Sequence, residues 1–249
     1  RHFVRSFERA ADQPFQIPAI GRDALEEASG NAGSAVDLLR RIGIPTIETC
    51  PAQTEDEAVD AAERIGFPVV LKIASADIAH KTEVGGVHLD LRNAEALRTA
   101  WRSMMASAAA KAPQAHIHGA VLSPMIGEGV DTIVGARQDP DLGPVVMLGL
   151  GGIMAEALDD VVIAPVPIGI EGARAMIGTL RAARLFDGWR GAPPSDKNAL
   201  AKTICALGAL AASNAADLDS IEINPFRVFP SSGAALDILV RHKAHDPAG

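Results

Sequence analysis

The chain has 249 residues, 48% of them hydrophobic and 22% charged. That is enough for a sizeable core and too apolar for wholesale disorder. The 23 Lys and Arg against 31 Asp and Glu give a formal charge of −8, which disfavours a nucleic-acid binder working by phosphate neutralisation. A small polyanion remains a candidate ligand, provided that local Lys, backbone N–H groups or metal ions hold it. Cys50 and Cys205 are the two cysteines, so no disulfide framework or Cys-based zinc site is available, and a reducing compartment fits. The longest stretches free of charged residues and His, Leu142–Ala155 and Thr203–Ala216, have 14 residues each, too few to span a bilayer as a helix. The start, Arg1-His2-Phe3, lacks both Met and a signal-type apolar core. The expectation is a cytoplasmic piece of a larger polypeptide.

Residues 1–30 show no clean period beyond a short stretch near Asp23–Ala28 and read as a linker or tail. Ser34 is the expected cap of a helix carrying Val36, Leu38, Leu39 and Ile42, ended by Gly43. Pro45–Cys50 reads as a short strand, and Thr54-Glu55-Asp56-Glu57 as a capping box before a helix that stops at Gly66. Val69–Ile73 is an apolar strand holding one Lys, followed by a polar loop, Ala74–Gly86, and a strand, Val87–Leu91. Asn93 can cap a helix running to about Ala110. Strands are expected at Gly119–Ser123, Asp131–Ala136, Val145–Leu150 and Val161–Ala164, then helices at Glu171–Arg181 and Ser195–Ala212. Ser220–Asn224, Phe226–Phe229 and Ala235–Val240 close the chain as strands, with a Ser231-Ser232-Gly233 turn. The pattern suits an α+β protein of two lobes, with residues 31–122 and 123–240 as the lobes and 241–249 as a tail.

Four places can carry chemistry. Lys72 sits in an otherwise apolar strand; either it snorkels from an edge strand or its ammonium meets a phosphate. The loop after it holds His80, Lys81, Thr82 and the pair Gly85-Gly86. Such a pair lets N–H groups approach an oxyanion, or simply makes a turn. His80 reads as a solvated group or as a phosphoryl acceptor. Alternation puts Glu222 and Asn224 on one face, and a hairpin can bring Asp237 opposite them, an oxygen set that suits Mg²⁺. At ~4 Å and an effective dielectric near 20, a like-charge pair costs roughly 4 kcal/mol, so carboxylates beside a triphosphate need a cation. Gly149-Leu150-Gly151-Gly152 either packs on a ligand or bends a strand; Asp139-Pro140 and Gly143-Pro144 make a turn, and His116 and His118 read as surface groups.

In order, Gly66–Lys72, His80–Val87, Asp139-Pro140 with Gly143–Met147, Gly149–Gly152, Trp189-Arg190-Gly191, Glu222–Pro225 and Leu236-Asp237 resemble the ATP-grasp domain of NDP-forming acyl-CoA synthetases. That group includes ADP-forming acetate–CoA ligase and is related to the β-subunit of succinyl-CoA synthetase. The resemblance spans about Gly33 to Val240. It implies two α+β lobes with a nucleotide cleft between them, ATP or ADP, and Mg²⁺. Lys72 would hold the phosphates, with Lys81, Thr82, Gly85 and Gly86 in the phosphate loop. Ser123, Pro124 and Met125 would lie at the hinge under the base, where relatives more often have Gln or Glu. Asp131 would contact the nucleotide, Asn224 and Asp237 would ligate magnesium with Glu222 beside them, and His80 would take a phosphoryl group from another His. The implied reaction is acid plus CoA plus ATP to acyl-CoA, ADP and phosphate, through phosphohistidine. The CoA-binding half would be a separate subunit or the rest of a fused chain. The competing reading is a regulatory ATP-grasp-like domain of a protein acyltransferase that turns nothing over.

Overall fold

The computed structural model describes residues 15–78, 81–151, 160–189 and 191–243. In chain order the elements are α1 (Arg22–Gly30), α2 (Ala32–Arg41), β1 (Cys50–Ala52), α3 (Glu55–Ile65), β2 (Val69–Ile73), β3 (Val87–Leu91) and α4 (Ala94–Lys111). They continue with β4 (Ala120–Pro124), β5 (Val130–Asp139), β6 (Gly143–Leu150), β7 (Val161–Pro165) and α5 (Ile170–Thr179). A 3-10 turn at Ala183–Asp187 leads to α6 (Lys197–Ser213), β8 (Leu218–Val228), β9 (Gly233–Ala235) and β10 (Ile238–His242). Among the described residues no helix is long and apolar enough to cross a membrane.

The chain divides into two compact units, residues 47–127 and residues 1–46 with 128–249. These differ from the expected lobes of 31–122 and 123–240. The cause is that α1 and α2 belong to the core built on the later strands. Leu25, Ala28, Leu38 and Leu39 are buried there together with Ile221, Ile223 and Val240. Residues 15–30 are therefore no linker: Phe15 and Ile17 pack on this core, and Ile20, Leu25 and Ala28 are part of it. The supposed tail also begins late. Arg241 and His242 finish β10, and the Lys243 N–H donates to Asp217 O at 2.7 Å. Residues 244–249 lie outside the described residues.

The smaller unit is a four-stranded antiparallel sheet in the order β1-β4-β2-β3. One face carries Ala52, Val69, Leu71, Ile73, Ala120 and Leu122, buried with Ala58, Ala62, Leu97 and Met104 of α3 and α4. The larger unit is antiparallel too, in the order β10-β8-β5-β6-β7 with β9 also on β8. Its core includes Ile204, Leu207 and Leu210 of α6 against Val146, Leu148 and Ile221.

Caps explain several boundaries. Asn31, not Ser34, caps α2, its Oδ1 accepting from the N–H groups of Gly33 and Ser34. Asp196, not Ser195, caps α6 in the same way through Asn198 and Ala199. Asx-type carboxylates and amides reach the orphan N–H groups of a first turn as well as Ser does. At α3, Thr54 Oγ1 accepts from the Glu57 N–H at 3.2 Å, while Glu57 Oε2 reaches back to Gln53 N at 2.7 Å. The expected Pro45–Cys50 strand shrinks to one parallel bridge, Thr46 to Ala235, and β1 begins at Cys50.

Asp139 shapes the β5–β6 hairpin. Its Oδ1 accepts from the N–H groups of Asp141 and Leu142, each at 3.1 Å. Those two donors, with Arg137 beside them, hold its carboxyl below the usual range. Within the Gly-Leu-Gly-Gly run, Gly151 meets the neighbouring strand β5. Its N–H donates to Asp131 O at 2.7 Å. A Cβ on it would lie 2.9 Å from the Asp131 carbonyl carbon, an overpacking cost of roughly 1–3 kcal/mol. Gly151 thus lets two strand ends close on each other; Gly152 lies outside the described residues.

Helices α3 and α4 are joined by charge, the first residue of α3 meeting two arginines of α4. Glu55 accepts from Arg102 Nε at 2.9 Å and Nη2 at 2.8 Å, and from Arg98 Nη1 at 3.0 Å. Arg102 first, then Arg98, lowers the Glu55 pKa. A depressed folded pKa means stabilisation present above the unfolded value, about 4.3, and lost as pH falls through the folded value. The difference in melting temperature between the native chain and Glu55→Gln should therefore be full at neutral pH and shrink on acidification below about pH 4.3. A difference that grew on acidification would contradict this assignment.

Candidate functional site

In the smaller unit, β2 is an interior strand: Lys72 pairs with Val87 of β3 on one side and with Val121 of β4 on the other. The edge-strand explanation of this lysine therefore falls. Alternation along β2 sends Val69, Leu71 and Ile73 into the helix-covered core. Val70 and Lys72 therefore take the opposite face, where Val121 and Ser123 are their direct cross-strand neighbours. Lys72 is half-buried and Ser123 is buried at 4% exposure. The next residues, Pro124 and Met125, extend this edge: Pro124 pairs with Val69, and the Met125 N–H donates to Pro68 O at 3.0 Å. Met125 is exposed.

The loop after β2 is held at both shoulders. Ile78 is buried in the core of the smaller unit, and Val84 packs against the same core. Asp77 Oδ2 accepts from the His116 backbone N–H at 2.8 Å and lies 3.1 Å from its Nδ1. These contacts, the backbone one foremost, lower the Asp77 pKa. His116 is thus a surface group with a structural partner. On the far side, the Gly85 N–H donates to Thr82 O at 3.0 Å and the Gly86 N–H to Lys81 O at 2.7 Å. Both glycine N–H groups are engaged in closing the turn, so the oxyanion-approach reading of the pair loses its donors. Glycine is needed at 86 because a Cβ would meet Ile73 Cγ2 at 2.6 Å and Lys81 O at 2.9 Å. Lys81 is half-buried and Thr82 exposed. His80 lies outside the described residues.

In the larger unit, a side-chain bond joins Asn224 to Glu222, and main-chain bonding sets Asp237 opposite Asn224. Asn224 Nδ2 donates to Glu222 Oε1 at 3.2 Å. The Asn224 N–H donates to Asp237 O at 3.0 Å, and Ile238 pairs with Ile223. The expected strands Ser220–Asn224 and Phe226–Phe229 are one strand, β8, crossing a cis Asn224–Pro225 bond. Against β5 the register jumps: Thr132 faces Phe226 while Val134 faces Ile223. Two steps on β5 answer three on β8, so one extra residue is accommodated at Asn224–Pro225. A bulge of this kind re-aims a side chain and interrupts pairing. It lets Ile221 and Ile223, then Phe226 and Val228, all reach the core.

Two carboxylates and one amide are hard oxygen donors of the kind that suits Mg²⁺. Asn224 gives its NH₂ to Glu222, which leaves its carbonyl oxygen for a cation, and Asp237 Oδ1 accepts from the Ile238 N–H at 3.0 Å. Among the described residues no group of three or more His, Cys, Asp or Glu side chains is arranged to hold a metal; Mg²⁺ in general takes few protein ligands and keeps phosphate and water oxygens.

Asp131 lies on interior strand β5 opposite Arg227. Arg227 Nε donates to Asp131 Oδ1 at 2.7 Å and Nη2 to Oδ2 at 2.9 Å, a fork that fixes the carboxylate plane. Arg227 escaped the sequence reading, although the signal was the one that marked Lys72: a single charge in an apolar run, Phe226-Arg227-Val228-Phe229.

Comparison with known proteins follows the same lines. The family described as ATP-grasp domain matches residues 21–241. The beta subunit of ADP-forming acetate–CoA ligase I from Pyrococcus furiosus is 39% identical over 224 residues, covering 88% of this chain and 96% of that one. ADP-forming acetate–CoA ligase I of Archaeoglobus fulgidus is 35% identical over 86% of this chain, which spans only 31% of that longer protein. Among solved structures, dinucleotide forming acetyl-coenzyme A synthetase 1 of Ca. Korarchaeum cryptofilum, in complex with coenzyme A, Ca-AMPCP and HgCl+, aligns with a TM-score of 0.80 at 33% identity. The alignment covers 85% of this chain and 92% of that one. The chain belongs to the ATP-grasp family, on the branch that holds the beta subunits of ADP-forming acetate–CoA ligases.

Proposed function

We propose that this chain is the nucleotide-binding, phosphoryl-transferring half of an ADP-forming acyl-CoA synthetase, interconverting acid, CoA and ATP with acyl-CoA, ADP and phosphate. The observation that carries the reading is the similarity to a Pyrococcus beta subunit along nearly the whole of both chains. The CoA-binding half lies in a partner subunit, as the beta-subunit name of that relative suggests, or in the same polypeptide, as in the longer Archaeoglobus protein.

Phosphoryl transfer asks mainly for positioning and charge neutralisation. Lys72 supplies a point charge to the nucleotide phosphates from the open face of β2. Lys81 and Thr82 present a cation and a hydroxyl from the turn, while Gly85 and Gly86 keep that turn closed. Ser123, Pro124 and Met125 line the base. Asp131, held by Arg227, meets the nucleotide. Asn224, Asp237 and Glu222 would hold Mg²⁺, which supplies charge neutralisation at the phosphates when bound. His80 accepts the phosphoryl group: its ring nitrogen bonds to phosphorus as the bond to the ADP oxygen breaks, and the reverse step returns the group to ADP.

Two outcomes follow. Mg-ADP or Mg-ATP at a hundred times its dissociation constant should stabilise the native chain by about 2.7 kcal/mol, seen as a rise in melting temperature that needs the metal. Lys72→Ala should abolish the rise. No rise in the native chain would favour the regulatory, non-catalytic module instead. Incubation with γ-labelled ATP should give acid-labile, base-stable label on the native chain combined with its CoA-binding half. The same label on His80→Ala would remove the histidine from the account.

A further inference from the structure

We propose that Ser107, assisted by Lys111, is a positioning residue for the phosphate side of the nucleotide site. The proposal rests on the reading of residues 81–86 as the phosphate loop. Ser107 Oγ donates to Val84 O at 2.7 Å, and Lys111 Nζ to Glu83 O at 3.1 Å. Two successive carbonyls of the turn are thereby fastened to the last part of α4. A trans peptide sets its N–H opposite its C=O, so fastening the Glu83 carbonyl turns the Val84 N–H away from the helix.

The rest of the turn closes on itself and on β2. The Gly85 N–H returns to Thr82 O and the Gly86 N–H to Lys81 O, while the Ile73 N–H donates to Gly86 O at 2.8 Å. The turn is therefore tied at one end to α4 and at the other to β2, one residue beyond Lys72. Gly85 has a positive φ of 70°, and a Cβ there would sit 3.0 Å from Ser107 Oγ. The serine hydroxyl occupies the space that a side chain at position 85 would need. The glycine pair and the serine are matched parts: glycine admits the hydroxyl, and the hydroxyl holds the backbone that carries Lys81 and Thr82.

Ala is a better helix former than Ser, so Ser107→Ala leaves α4 intact and removes only the tie to Val84. In the full-length chain this variant should exchange its Gly85 and Gly86 amide protons faster than the native protein. It should bind Mg-ADP about fivefold more weakly, the worth of one hydrogen bond. AMP, which lacks the β-phosphate that the turn would hold, should bind unchanged. Ser107→Thr, which keeps the hydroxyl, should restore both readouts. Faster exchange with unchanged Mg-ADP affinity would overturn the positioning role and leave a purely structural tie. Equal weakening of AMP and Mg-ADP would overturn it as well, by showing a global effect. If the native chain binds neither nucleotide, the nucleotide reading itself fails, and the exchange data alone report whether the tie exists.

Discussion

Alternation with a period of two, imposed by one buried face, decides where the charged and polar candidates of β2 and β8 point. In β2, three apolar residues face α3 and α4, and Lys72 must take the other side. In β8, Ile221 and Ile223 enter the core, so Glu222 and Asn224 are turned away from it. A slip of one residue in either strand would bury a charge and expose the apolar set, at a cost of roughly 1.5–3 kcal/mol for each large side chain uncovered. Burial thus fixes the polar groups without contacting them. The bulge at Asn224–Pro225 interrupts this rule, and it falls on a candidate metal ligand.

The segments that connect these strands are anchored by similar means. The loop that follows Lys72 is held by Ile78 and Val84 in the core and by Asp77 and Ser107 through hydrogen bonds. Asp131 is fixed by a forked ion pair from the neighbouring strand. Asp237 is set opposite Asn224 by main-chain bonding. Ser107, His116 and Arg227 each lie far in sequence from the segment they hold. Preorganisation of this sort lowers the cost of ordering groups around a highly charged ligand.

Much of this was legible in the residues, and the parts that were not have identifiable reasons. Strands and helices with strong periodicity stand close to where alternation and caps put them. The pairing of Glu222 with Asn224 follows from their spacing of two. What escaped was whatever depends on contacts between distant segments. Leu25 and Ala28 give α1 only a short apolar face, so its place in the core of the larger unit cannot be read locally. Asn31 and Asp196, rather than Ser34 and Ser195, cap their helices, and in each case the cap-forming residues stand within three positions of one another. Pro225 suggested a break between two strands, whereas β8 continues across it by bulging. Ser107 and Arg227 acquire meaning only once the register shows which carbonyl and which carboxylate they meet.

The most direct measurement is a crystal structure of the chain with ADP and Mg²⁺. The account predicts Lys72 Nζ within hydrogen-bond distance of a phosphate oxygen, and the metal bound by Asn224 and Asp237 oxygens and by the same nucleotide. A nucleotide that touches neither Lys72 nor a metal on Asp237 would contradict it.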